Sequence, residues 1–175
     1  MARCPMLKLT GEYEHVVDEK NRLFISTKLR SKVDAEKYGS DWILALGVDG
    51  ILCLYPEKCY EQLLAELAAD KSIPDDDMIS VERLYFAFSS TVEFDRQGRL
   101  LIHEKLKKRA KLGNQLTLVG VRDHIEIWNT EDWERFVAEK ASTYERQLMR
   151  ARKSLLQKEA QKAAYTEEDV EQMEE

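Results

Sequence analysis

The sequence has little of what marks a secreted, membrane-bound or metal-dependent protein. No apolar run approaches the roughly 18 residues that span a bilayer, although hydrophobic residues make up 43% of the 175. The opening Met1-Ala2-Arg3-Cys4-Pro5-Met6-Leu7-Lys8 lacks the apolar stretch of a signal peptide, so a cytoplasmic location is expected. There are only three cysteines, Cys4, Cys53 and Cys59, and no C-x-x-C pair. An odd, scattered set supports neither a disulfide framework nor a zinc site, which leaves buried or incidental thiols. His15, His103 and His124 are equally dispersed, without ligand spacing, and read as structural or surface residues. There is no phosphate-cradling glycine loop and no nucleophile paired with a base. These absences point away from an enzyme: no catalytic residue, metal site, cofactor or small-molecule substrate is expected, and no membrane partner.

Charged residues make up 34% of the chain, and its net charge of −6 argues against a nucleic-acid partner if taken as a whole. Its distribution argues the other way. Residues 93–115 carry seven Lys and Arg against three acids, whereas residues 157–175 carry two Lys against seven acids. The acid excess is largely a tail. Local charge governs attraction to a phosphate backbone.

What is present is a repeat. Asp18-Glu19-Lys20-Asn21-Arg22-Leu23-Phe24-Ile25 returns as Asp95-Arg96-Gln97-Gly98-Arg99-Leu100-Leu101-Ile102. In each copy an Asp is followed four residues later by an Arg and then by three apolar residues. Alternating apolar positions on both sides predict two strands joined by a tight turn. Asp accepts backbone N–H bonds at the first position of a type I turn, and Gly98 tolerates positive φ at the fourth. Asn21 stands there in the first copy, and Asn is the non-glycine residue most at ease in the left-handed region. Asp18, Asn21, Asp95 and Gly98 are therefore the turn-supporting residues, and each turn presents an Arg beside a fixed carboxylate.

The repeat extends outward. Ile25 matches Ile102, Leu29 matches Leu106 and Val33 matches Ala110. After a small length change, Gly47-Val48 aligns with Gly120-Val121, and Tyr55 with Trp128. Residues 1–11 read as a loosely held lead-in. Strands are expected at 13–17 and 23–25, a basic helix over 27–38 stopped by Gly39, and strands at 42–46 and 51–55 around Asp49-Gly50. A helix opened by Pro56 should run to about residue 70. Residues 71–78 read as a linker, with Asp75-Asp76-Asp77 solvated. The second half should repeat the order: a strand over 85–94 with Tyr85, Phe86 and Phe88 buried, a strand at 100–102, a basic helix over 104–112, and strands at 115–119 and 124–128. A terminal helix should start at Asn129 as N-cap and continue to about residue 165, with Trp133, Phe136, Val137 and Tyr144 as an apolar stripe. The later part of that helix reads as solvated or as a coiled-coil partner, and residues 166–175 as a disordered acidic end.

The fold expected is thus α+β, two β-β-α-β-β-α halves over 12–70 and 79–145. Residues 146–175 form an extension. Neither half can close its own sheet edges, so the two should interlock about a pseudo-two-fold axis.

The sequence resembles the MraZ family of bacterial transcriptional regulators. The resemblance rests on Gly11-Glu12-Tyr13-Glu14-His15, both D-x-x-x-R turns, Leu46-Gly47-Val48-Asp49-Gly50, Leu54-Tyr55-Pro56, Val119-Gly120-Val121 and Ile125-Glu126-Ile127-Trp128. It covers roughly residues 9–145 and implies tandem AbrB-like (SpoVT-AbrB) halves folded as a swapped-hairpin β-barrel. It also implies homo-oligomeric rings that bind double-stranded DNA at short repeated promoter boxes upstream of the division and cell-wall gene cluster, and so a nucleoid-associated protein. The turn Arg is a DNA-binding residue in that family, which here means Arg22 and Arg99. The chain departs from the family pattern at Asn21, where Gly is usual, and at Ser26 and His103, where Pro is usual. The lead-in before residue 11 is longer than usual, and the acidic tail after about Tyr144 is an addition.

A guanidinium can bond bidentately to guanine O6 and N7, and Asp18 or Asp95 would hold it extended. The bland alternative is a surface ion pair worth little. Lys20, Arg96 and Gln97 lie in the turns within reach of phosphate. Lys28, Arg30, Lys32, Lys105, Lys107, Lys108, Arg109 and Lys111 make basic helix faces, some of which should border DNA, though such faces are usually just solvated. Two symmetric Asp residues also suggest a catalytic dyad. A dyad shares a proton in a dry cleft, whereas here each Asp has an Arg and an exposed turn that keep it ionised. The remaining class is an AbrB-like antitoxin or protein-interaction module whose terminal helix binds a partner. Two halves in one chain count against it, since such antitoxins usually carry one.

Overall fold

The computed structural model describes residues 7–69 and 74–171. β1 (Glu12–Val16) leads through the first D-x-x-x-R turn into β2 (Arg22–Phe24). Ser26 then opens α1 (Thr27–Arg30), its Oγ accepting from the Lys28 N–H at 3.3 Å. The single helix expected over 27–38 is in fact two short ones, α1 and α2 (Ala35–Tyr38). Asp34 divides them, because its side chain accepts the Glu36 N–H at 3.0 Å and nucleates a new helix start. β3 (Trp42–Leu46) and β4 (Leu52–Pro56) flank a turn in which Asp49 and Gly50 take φ of 57° and 77°. Pro56 closes β4 rather than opening the helix behind it, α3 (Glu57–Ala69).

α4 (Asp75–Ala87) follows, then β5 (Ser89–Val92), β6 (Arg99–Leu101), α5 (Glu104–Arg109), β7 (Gln115–Val121), β8 (His124–Asn129) and α6 (Thr130–Glu171). The β-β-α-β-β-α order is present in both repeats, with α4 between them.

The strands form a six-stranded sheet in the order β1-β7-β8-β4-β3-β5 and a two-stranded ribbon of β2 and β6. Exchanging β1 with β5, β2 with β6, β3 with β7 and β4 with β8 reads the sheet order backwards, so the arrangement is pseudo-two-fold. The axis passes between Leu23 and Leu100 in the ribbon and between Cys53 and Glu126 in the sheet, where equivalent residues lie opposite each other. Each repeat supplies the other's edge partner: β1 pairs with β7 and β5 pairs with β3. Among the described residues these ladders make an open sheet and a ribbon, not a closed ring of pairs. The core lies between them. Leu44, Leu52, Leu54, Leu116, Leu118, Ile125 and Ile127 of the sheet meet Leu23, Ile25, Leu29, Leu100, Ile102 and Leu106. Burying each of these fully is worth about 1.5–3 kcal/mol.

Three further expectations need correction. The lead-in is not loose where it is described: Leu7 and Leu9 belong to the core, and Leu9 bridges Arg122 by backbone bonds of 2.7 and 3.0 Å. Gly120 makes room, since a Cβ there would meet the Leu9 and Thr10 backbone. Residues 1–6 lie outside the described residues.

The strand expected over 85–94 starts only at Ser89. Tyr85 and Phe86 lie in α4, and Phe88 caps it, with Phe86 57% exposed rather than buried. A short apolar run does not separate strand from helix by pattern alone. The missed signal was Pro74 before Asp75-Asp76-Asp77, a helix start with acids at the positive dipole end. Those three residues are therefore helical, while 71–73 of the linker lie outside the described residues.

The third correction concerns the end of the chain. α6 continues to Glu171, through most of the stretch expected to be disordered; 172–175 lie outside the described residues. The Asn129 side chain ties the start of this helix to the turn after α5. Its Oδ1 accepts from the Gly113 N–H at 2.7 Å, and its Nδ2 donates to the Lys111 carbonyl and to Asp132 at 3.2 and 2.9 Å.

From Glu134 onward α6 is a unit of its own. Phe136, Val137, Tyr144, Leu148, Met149, Leu155 and Leu156 are exposed along it. No helix among the described residues is long and apolar enough to cross a membrane.

Because the lead-in is core, Leu9→Ala should cost about 2–5 kcal/mol and Gly120→Ala about 1–3 kcal/mol by overpacking. Urea denaturation of the full-length protein measures both. Unchanged midpoints would mean that the lead-in does not hold the sheet.

Candidate nucleic-acid interface

Each D-x-x-x-R turn is closed by its own Asp. The Asp18 Oδ1 accepts the Lys20 and Arg22 N–H groups, both at 2.9 Å, and its Oδ2 accepts Arg22 Nε at 2.7 Å. Asp95 does the same for Gln97 and Arg99, at 2.9 and 3.0 Å, with Arg99 Nε and Nη2 both on Oδ2 at 2.8 and 2.6 Å. Asn21 and Gly98 occupy the left-handed position at φ of 57° and 79°. Their N–H groups return to the Asp18 and Asp95 carbonyls, each at 2.9 Å.

The exchange of strands puts both Arg residues on one surface. In the ribbon Arg22 lies opposite Leu101 and Phe24 opposite Arg99. Leu23 and Leu100 point into the core and are fully buried. By alternation, Arg22, Phe24, Arg99 and Leu101 share the outer face. The two guanidiniums converge: Arg99 Nη1 stands 3.9 Å from the same Asp18 Oδ2 that holds Arg22. The terminal amino groups of Arg22 have no partner among the described residues.

The carboxylates are held ionised. Hydrogen bonds from the Arg99 side chain and then its backbone lower the Asp95 pKa to about 2, and the Arg22 backbone N–H leads the causes that lower Asp18. Neither is a proton-sharing dyad.

Each turn is also clamped by a basic residue from the other repeat. Lys107 Nζ donates to Asn21 Oδ1 and Asn114 Oδ1, both at 3.0 Å. Arg30 occupies the equivalent place in the first repeat. Its Nε donates to the Ile25 carbonyl at 2.9 Å and its Nη2 to Thr27 Oγ1 at 3.4 Å, while its guanidinium lies 5.4 Å over the Phe94 ring. A Cβ on Gly98 would strike that guanidinium. Gly98 thus leaves the space that the Arg30 guanidinium fills, whereas the Asn21 side chain has a lysine to meet. The sequence alone does not show this, because the contacts join residues 86 positions apart.

Of the remaining candidates, Lys20, Arg96 and Gln97 are exposed in the turns, and Lys28 and Lys105 are exposed at equivalent places in α1 and α5. Lys32 Nζ reaches Thr10 Oγ1 at 3.2 Å, Lys108 pairs with Glu104 at 2.6 Å, and Arg109 lies 4.1 Å over Phe88. Lys111 is in the turn after α5 at φ 50°. Sequence reasoning missed Phe24 and Leu101 as members of the outer face, although their alternation with Leu23 and Leu100 carried the signal.

The histidines do not converge. His15 is part-buried, which lowers its pKa, and its ring makes a T-shaped contact with Phe24 at 5.4 Å. His103 precedes α5 on the surface. His124 stacks on Tyr55 at 4.7 Å, with Nδ1 2.9 Å from Asp123. Burial would lower its pKa, but hydrogen bonds with Cys53, Glu126 and Asp123 outweigh it and raise the value to about 10. Among the described residues no three His, Cys, Asp or Glu side chains are arranged to hold a metal ion.

These features define a class: a tandem-repeat α+β protein whose repeats exchange strands to present a two-stranded ribbon with one acid-braced Arg from each. The chain belongs to the MraZ family. It matches the family described as "MraZ protein, putative antitoxin-like" over residues 9–81 and 85–160. Relatives bear the name transcriptional regulator MraZ. The Lactiplantibacillus plantarum protein is 36% identical over 135 residues, covering 77% of this chain and 92% of that one. The Thermomicrobium roseum protein is 38% identical over 123 residues, 70% of this chain and 82% of that one. The Clostridium tetani protein is 35% identical over 126 residues, 72% and 84% respectively.

Because both folded carboxyls titrate below the unfolded value of 3.8, the Asp–Arg pairs support the turns above that pH. Their contribution is lost as the pH drops, at Asp95 through about 2. Carboxyl ¹³C shifts should show both midpoints depressed; ordinary midpoints for both would mean that the pairs do not form in solution.

Proposed function

We propose that the protein is a sequence-specific DNA-binding transcriptional regulator that reads double-stranded DNA with the outer face of the β2–β6 ribbon. The observation that carries the reading is the convergence of Arg22 and Arg99 on that face, each with its Nε held by an Asp. A two-stranded ribbon fits the B-DNA major groove, and a guanidinium with its terminal amino groups forward can bond a guanine edge. Lys20, Arg96 and Gln97 beside the turns, with Lys28 and Lys105 behind them, contact phosphates and set the register. Asp18, Asn21, Asp95 and Gly98 shape the turns, and Arg30 and Lys107 hold them. The relatives' printed name supports the regulatory role and a non-enzymatic one.

The protein acts as a homo-oligomeric ring on repeated promoter boxes of the division and cell-wall gene cluster, in the cytoplasm at the nucleoid. This part rests on the family resemblance. One ribbon per subunit is a small footprint in an acidic chain, and a ring supplies many. Avidity over several boxes can exceed single-site affinity by about 10²–10⁴. A second reading has one observation in its favour: the exposed apolar residues of α6 suit a protein partner, as an antitoxin or interaction module would require.

Arg22→Ala and Arg99→Ala should each weaken specific DNA binding by about 1–3 kcal/mol per lost base contact, with the fold unchanged by circular dichroism. Normal operator affinity in the folded double variant would sink the reading. Boxes about 10 base pairs apart keep one face of the duplex toward a ring. A titration at fixed salt should therefore show tight binding to in-phase boxes and loss of the gain when half a helical turn is inserted. Equal affinity for one box, in-phase boxes and shifted boxes would mean that a single subunit reads alone.

A further inference from the structure

The outer face of the ribbon is not uniformly polar. Phe24 is 36% exposed and Leu101 45% exposed, and they occupy the same position in the two repeats. A lone exposed apolar side chain needs no explanation. Here, however, the pattern Arg-x-apolar occurs once per strand, and the antiparallel register sets each apolar side chain directly beside the other repeat's Arg. Phe24 also meets the His15 ring, with centroids 5.4 Å apart and planes at 72°. The bonds that close the turns come from Asp18, Asp95 and the backbone, with Lys107 on Asn21, and not from these apolar side chains.

Cross-strand neighbours stand about 4.5–5.5 Å apart, and successive bases are stacked about 3.4 Å apart. A group beside a base-reading guanidinium therefore faces the neighbouring base pair. The major groove offers one apolar feature there, the C5-methyl group of thymine. We propose that Phe24 and Leu101 are specificity-determining residues that contact thymine C5-methyl groups next to the bases read by Arg99 and Arg22. The inference rests on the proposed DNA-reading face and names what the ribbon selects beyond guanine. The pseudo-two-fold axis makes the two contacts related by inversion of strand direction, so each ribbon asks for a thymine on either side of its centre.

The test uses the full-length protein and duplexes that it enriches from a random-sequence pool. Each thymidine in the enriched duplex is replaced singly by deoxyuridine, which removes only the methyl. Wild-type affinity should drop by about four-fold at one or two positions beside the guanines, as expected for losing one buried methyl. Phe24→Ala and Leu101→Ala should each bind more weakly and lose the discrimination at one of those positions. Both side chains are exposed, so the variants should fold; circular dichroism and sedimentation confirm it. An enriched sequence without thymine beside its guanines, or equal affinity for every deoxyuridine duplex, overturns this inference and leaves the DNA reading standing. So do alanine variants that keep the discrimination, or that change the oligomeric state instead. A protein that enriches no sequence at all overturns the DNA reading, and this inference with it.

Discussion

The ladder between β2 and β6 is the constraint on which the rest depends. A three-residue strand cannot satisfy its own backbone, and an unpaired buried N–H or C=O costs about 1–3 kcal/mol. Within each repeat no partner is available, because β1 pairs with β7, and β5 with β3. β2 and β6 therefore take each other. The Ile25 N–H donates to the Gly98 carbonyl at 3.0 Å and the Ile102 N–H to the Asn21 carbonyl at 2.9 Å, so each strand ends on the opposite turn. Leu23 and Leu100 are drawn into the core by this pairing, and Arg22 and Arg99 are pushed out to one face. Without the exchange the two arginines would belong to separate surfaces.

The Asp–Arg pairs at that face serve position more than stability. Each pair is a quarter to a third exposed, where solvent screens most of the attraction. What they supply is a guanidinium with restricted freedom, bonded at Nε in both arginines and at Nη2 as well in Arg99. Ordering a long side chain before binding removes an entropic cost that would otherwise reduce affinity. Braces from Lys107 and Arg30 extend the same effect to the turn backbone. This suits a chain whose overall charge opposes phosphate: basic side chains cluster at the turns and on the short helices beside them, while the net acid excess lies largely in residues 157–175.

The two repeats are equivalent in backbone and divergent in chemistry. Asn21 faces Lys107 where Gly98 faces Arg30. Ser26 caps α1 with its hydroxyl, whereas His103 precedes α5 without a side-chain bond. Arg99 is doubly bonded to its Asp, and Arg22 singly. The first of these differences is matched across the axis, Asn21 by Lys107 and Gly98 by Arg30, so the ribbon joins two related but unequal turns. A symmetric homodimer of single repeats could not hold such differences, because every change would appear in both copies.

The sequence by itself determined the repeat, the turns and most of the strands. Asp18-to-Arg22 and Asp95-to-Arg99 are local contacts, and local hydrogen-bonding geometry is written in residue type and spacing. The alternation of Leu23 and Leu100 with charged or exposed neighbours likewise fixed which face is buried. Nonlocal pairings were decided only by the tertiary structure. That Leu9 is core depends on Gly120 leaving space for it. The meeting of Arg22 with Arg99, and of Lys107 with Asn21, needs two distant segments brought together by strand exchange. Spacing along a chain carries no information about such encounters, since their geometry is set by which backbone groups find partners elsewhere.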